Sequence, residues 1–145
     1  MREALELADR AGAIGEVPIG ALVVVDDRCV GRGWNRPIES HDATAHAEIN
    51  ALREASDTVA NYRLNGAVLY CTLEPCIMCL GAMIQARIGR LVIAASDPKV
   101  GALAQLESMR QTGAVFNHRF DCSAGVLGEL ASEKLQTFFR KKRMD

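Results

Sequence analysis

The sequence predicts an α/β fold, a three-layer α/β/α sandwich around a mixed sheet of about five strands, and three observations carry that expectation. Apolar runs of strand length alternate with helical patterns through the middle of the chain. Two of those runs are joined by a turn-prone Asp26-Asp27 pair and so form a hairpin. A helical segment also precedes the first strand and another follows the last, which supplies cover for both sheet faces.

Each element has a local reason. Leu5, Ala8 and Ala11 recur at helical spacing, so residues 2–14 read as an amphipathic helix that stops before Gly15 and Pro18. Ile19 to Val25 and Cys29 to Trp34 are the hairpin strands. A second helix is expected from Thr44, a residue type favoured as an N-cap, through Ile49, Leu52 and Ala55 toward Asp57. Ala67 to Thr72 is an apolar strand, and Pro75 then opens a helix from Cys76 to about Ala86, because proline in a first turn gives up only an N–H that has no helical partner. Leu91 to Ala95 is a further strand, a short helix is expected near Leu106, and residues 119–122 form a last short strand. Leu127, Leu130, Ala131, Leu135 and Phe138 mark a closing helix.

At 145 residues, with 49% hydrophobic and 24% charged side chains, the chain is sized for a single domain, residues 1–145, with a real core. That composition excludes intrinsic disorder. Seventeen Lys and Arg against eighteen Asp and Glu leave no global field to draw the chain to DNA or an anionic membrane, so neither is expected as a partner. The longest uncharged apolar stretch, Cys76 to Ile84, is far below the roughly 18 residues of a membrane span, and the charged N-terminus lacks a signal core, so a cytoplasmic location is expected. Five cysteines cannot form a closed disulfide framework in one chain. Cys29, Cys71 and Cys122 lie in or near strand-like runs, where cysteine behaves as a small hydrophobe.

Cys76 and Cys79 differ, because they share one face at the start of a helix, where unpaired N–H groups favour thiolate. By itself this pair fits either a metal site or a thioredoxin-like redox couple. His46 and Glu48 open another helix after the hairpin, and His46 with the two cysteines makes a donor set suited to zinc. Three protein ligands leave a fourth position for water, the pattern of a catalytic site, whereas His41 or His118 as a fourth ligand would close it. An open zinc lowers the pKa of its water toward about 7, and Glu48 is the carboxylate placed to take the proton. Residues i and i+2 of a helix point about 200° apart, so both reach one metal only near the helix start, with Glu48 crossing from inside.

His46, Glu48, Pro75, Cys76 and Cys79 together match the H-x-E…P-C-x-x-C signature of zinc-dependent deaminases without a gap. The wider chain resembles the bacterial tRNA-specific adenosine deaminases, on Glu16-Val-Pro-Ile-Gly-Ala21, Gly33-Trp-Asn-Arg-Pro37, Thr44 to Ile49, Asn61-Tyr-Arg-Leu64, Thr72 to Cys79, Asn117-His-Arg119 and Phe138-Phe-Arg140. The resemblance implies a cytidine deaminase-like sandwich, one zinc ion per subunit held by His46, Cys76 and Cys79, and Glu48 as proton shuttle for conversion of wobble adenosine to inosine. It also implies a homodimer and a tRNA anticodon stem-loop as partner. Asn35, Ile19 and Ala47 are expected at the base, and Asp97, Lys99, Asn117, His118 and Arg140 along the loop. Ala104-Gln105 stands where the family usually has Gly-Ser, and Ala94 replaces a common glycine. Two other functions fit the metal site, deamination of a free base or nucleoside and a non-catalytic zinc-stabilised RNA-binding subunit.

Overall fold

The computed structural model describes residues 1–144. Its elements are α1 (Arg2–Ala13), β1 (Gly20–Val25), β2 (Arg28–Trp34), α2 (Pro37–Ser40), α3 (Ala47–Val59), β3 (Val68–Leu73), α4 (Ile77–Ala86), β4 (Arg90–Ala95), α5 (Leu103–Gln111), β5 (Asp121–Ser123) and α6 (Gly128–Met144). The strands form one sheet in the order β2-β1-β3-β4-β5. β1 is antiparallel to β2 and β3, while β3 with β4 and β4 with β5 are parallel, so the sheet is mixed as expected. Asp26 and Asp27 both adopt left-handed backbone (φ 48° and 60°), the geometry of a type I′ hairpin turn.

Alternation along the strands divides the core into two layers. Ala21, Val23, Leu69, Cys71, Leu91 and Ile93 face α3, α4 and α5, and the opposite face, with Leu22 among its residues, meets α1, while Ala94 and Ala95 pack with Leu5 and Ala131 of α6. On the first face, β2 runs so close to α3 that a Cβ at Gly33 would collide with the Ala47 carbonyl oxygen and the Ala51 nitrogen. Glycine on the strand and alanine on the helix therefore bring the backbones together, which holds the start of α3 against the sheet.

Local expectations change at four places, the first being Pro75, which precedes the α4 N-cap Cys76 and so lies before the helix rather than in its first turn. α3 begins three residues later than Thr44, because Thr44 is occupied in a turn: its N–H and hydroxyl both donate to Asp42 Oδ1, at 2.8 and 2.7 Å. The short α2 has no periodic signal, and its first N–H groups are satisfied from a distance, Ile38 and Glu39 donating to Oε1 of the buried Glu16 at 2.8 and 2.9 Å. Cys71 is fully buried, Cys29 half-buried, and Cys122 exposed rather than near-core because β5 is a short edge strand. No helix among the described residues is long and apolar enough to cross a membrane.

Candidate active site

Two helix N-termini meet at the site. His46 is the N-cap of α3 and Cys76 the N-cap of α4, both with extended backbone (φ −71°, ψ 155° and φ −74°, ψ 171°), and Cys79 lies on the first turn of α4. The 200° separation expected between His46 and Glu48 applies only within a helix. Here His46 stands just outside α3 and Glu48 just inside it, so the histidine addresses the metal position from the loop while the glutamate is buried at 4% exposure.

His46 Nδ1 lies 3.6 Å from both Cys76 Sγ and Cys79 Sγ, and the two sulfurs are 3.7 Å apart. Donor atoms around one tetrahedral zinc, with bonds of about 2.3 Å to sulfur and 2.0–2.1 Å to nitrogen, are separated by about 3.6–3.8 Å. The triangle therefore fits zinc as it stands. Among the described residues these three form the metal-binding group, and neither His41, which is exposed beyond α2, nor His118 joins it. His118 instead pairs its Nε2 with the Ile88 carbonyl oxygen at 2.6 Å. The donor set is the three-ligand, open type.

Charge in the cluster is uneven. Hydrogen bonds from the Cys79 thiol and the His46 ring pull Cys76 down to about 3, so its sulfur is a thiolate at neutral pH. The same Cys76 sulfur raises His46, and sharing with Cys76 together with burial pushes Cys79 strongly up. To hold a metal here, the Cys79 thiol would have to give up its proton. Burial raises Glu48 above the ordinary glutamate range, only partly offset by its own backbone N–H and by His46, and the fully buried Cys71 thiol lies against its carboxyl group.

The cluster opens on a cleft of about 1180 Å³ to which His46 contributes. Ile19 and Asn35 line one side, Asp97 and Lys99 another, and Leu135, Phe139 and Arg140 of α6 a third. Asn35 is buried, and its Oδ1 accepts the Ala47 N–H at 2.9 Å. Ala47 is itself fully buried and does not line the cleft, though both its neighbour His46 and its hydrogen-bond partner Asn35 do. Asn117 is exposed, and neither it nor His118 lines the cleft. Two further carboxylates have structural roles that the sequence does not reveal: Glu16 accepts the N–H groups of Ile38 and Glu39 in α2, and Glu74 accepts those of Asp97 and of Leu103, the first residue of α5.

Comparison with known proteins agrees with this geometry. Residues 1–95 match the model of the cytidine and deoxycytidylate deaminase zinc-binding region. The tRNA-specific adenosine deaminase of Haemophilus influenzae is 51% identical over 99% of this chain and 83% of its own length, and that of Agrobacterium fabrum is 44% identical over 100% and 95%. A structure solved in studies of A-to-I editing by tRNA:A34 deaminases superposes with a TM-score of 0.87 at 43% identity, covering 93% of this chain and 97% of that one. Metal triangle, buried glutamate, sheet order and similarity along nearly the whole chain converge: the chain belongs to the zinc-binding cytidine and deoxycytidylate deaminase family and groups there with the tRNA-specific adenosine deaminases.

Proposed function

We propose that this chain is a single zinc-dependent domain that hydrolyses adenosine to inosine at the wobble position of a tRNA anticodon loop, releasing ammonia. The observation that carries this reading is a buried carboxylate beside a three-donor zinc site that opens on a cleft of about 1180 Å³. Similarity along nearly the whole chain to tRNA-specific adenosine deaminases favours a base presented on a polymer over a free nucleoside. Zinc supplies the Lewis acidity that makes water a nucleophile near neutral pH.

Glu48 takes a proton from the attacking water and delivers protons to the purine ring and to the amino group that departs from C6 as ammonia. Its raised pKa suits both halves of that task. With Oδ1 of Asn35 already bound to Ala47, the amide Nδ2 is left as the donor to an acceptor on the base edge. Ile19 forms an apolar wall, and Ala47 acts by fixing Asn35. Lys99 and Arg140, with Lys142 and Arg143, line the cleft, and we assign them to the phosphates flanking an extruded nucleotide. Asp97 faces the same RNA, and we assign Asn117 and His118 to nucleotides beyond the base. The chain acts in the cytoplasm as a homodimer.

The test is to incubate the zinc-loaded protein with an anticodon stem-loop carrying a wobble adenosine, in parallel with free cytidine, adenosine and guanine. Inosine is expected in the RNA alone. Turnover of a free base or nucleoside with no inosine in the RNA would falsify the reading.

A further inference from the structure

The segment carrying Cys76 and the loop forming the Asp97–Val100 wall of the cleft are joined at four points. The Glu74 N–H donates to the Ala95 carbonyl oxygen at 2.8 Å, and the Ala102 N–H donates to that of Pro75 at 3.1 Å. The other two bonds belong to one side chain: Glu74 Oε2 accepts the Asp97 N–H at 3.0 Å and Oε1 accepts the Leu103 N–H at 3.1 Å. Glu74 therefore grips both ends of the loop, the second at the first residue of α5, where a negative charge also meets the positive end of the helix.

The loop is shaped to this carboxylate. A Cβ at Gly101 would lie 2.5 Å from Glu74 Cδ, 2.7 Å from its Oε2 and 2.5 Å from the Asp97 carbonyl oxygen. Its tip is held internally, with Asp97 Oδ1 accepting the N–H groups of Lys99 and Val100 at 2.9 and 3.2 Å. A tip that is rigid within itself is placed relative to the metal cluster by whatever holds its two ends.

We propose that Glu74 is a positioning residue that sets the Asp97–Val100 wall against the metal-binding segment and so determines how well RNA is held, without touching the reacting base. The proposal rests on the RNA reading above. Glu74→Gln keeps the side chain's size, but its amide can accept only one of the two N–H groups and turns an NH₂ toward the other. With a wobble-adenosine stem-loop, KM is expected to rise about tenfold while kcat at saturating RNA stays within about twofold and zinc stays at one per chain. Hydrogen exchange at the Asp97 and Leu103 amides of the zinc-loaded protein, measured without RNA, should accelerate about tenfold. Glu74→Ala should move both readouts further the same way.

Unchanged exchange, or a fall in kcat with KM unchanged, overturns the proposal, as does a lower Tm with neither KM nor exchange altered. Should the wild type form no inosine, the RNA reading fails, and the exchange measurement still decides whether Glu74 holds the loop.

Discussion

The wall of the cleft that carries the chemistry and the wall that carries the charge are built differently. α3 buries Ala47, Glu48, Asn50, Ala51, Leu52 and Ala55, and α4 buries Cys79, Leu80, Met83, Ile84 and Ala86, so the metal-binding termini are clamped on the sheet. α6, with 17 residues, buries Ala131 alone and is tied to α1 by an exposed Lys134–Asp9 pair at 2.5 Å. Proton transfer and metal binding demand placement within a fraction of an ångström, which close packing supplies. Phosphate attraction acts over several ångströms and tolerates an adjustable helix. The fold thus puts its precision where bonds change.

The largest effect belongs to the clamped wall, at Glu48. Glu48→Gln should lower turnover about 10⁴-fold while metal analysis still finds one zinc per chain; loss of zinc would make Glu48 a ligand instead. The pH dependence has a defined sign. Burial raises the Glu48 pKa and the charge of a bound zinc would oppose that shift, so in the loaded enzyme kcat/KM should fall on the acid side as the base is protonated. In the zinc-free protein the buried carboxylate costs stability once ionised. Wild type should therefore lose stability relative to Glu48→Gln as pH rises from the ordinary glutamate range through the raised pKa, and the two should converge below that range.

Gly33→Ala probes how the clamped wall is seated. Its Cβ would push α3 off β2, and a loss of about 1–3 kcal/mol in chemical denaturation, with weakened zinc affinity, is expected. On the charged wall, Arg140→Ala with Lys142→Ala should weaken stem-loop binding about tenfold at low salt. The same pair should flatten the salt dependence by about 0.7 log units for each phosphate no longer neutralised, leaving kcat unchanged. Lys134→Met should cost less than about 1 kcal/mol in the same denaturation assay, since the pair is solvated. A larger loss would show that α6 is as firmly held as α3.

Legibility in the sequence varies with distance along the chain. The hairpin turn, the α4 start to within one residue, and the His/Cys/Cys donor set depend on a few neighbouring residues and are legible there, although Pro75 precedes the helix instead of opening its first turn. The start of α3 is misplaced because Thr44, a favoured cap type, commits its hydroxyl to Asp42 two residues earlier, and α2 is invisible because its cap comes from Glu16. Cys71 resembles an inert core thiol until the β3 register sets it beside Glu48. Glu74 carries no local sign of its grip on Leu103, 29 residues away.

Local sequence supplies the chemical vocabulary: soft and borderline donors for zinc, a carboxylate two residues from the histidine, and basic residues gathered at the C-terminal end, with strands and helices alternating so that a layered sheet forms. Which of those groups meet is settled in three dimensions. His46 reaches Cys76 and Cys79, 30 and 33 residues on, because two helices begin at one end of a sheet whose strand order no local pattern specifies. Burial, and with it the raised pKa of Glu48, depends on what surrounds a side chain in space, which its neighbours in sequence do not reveal.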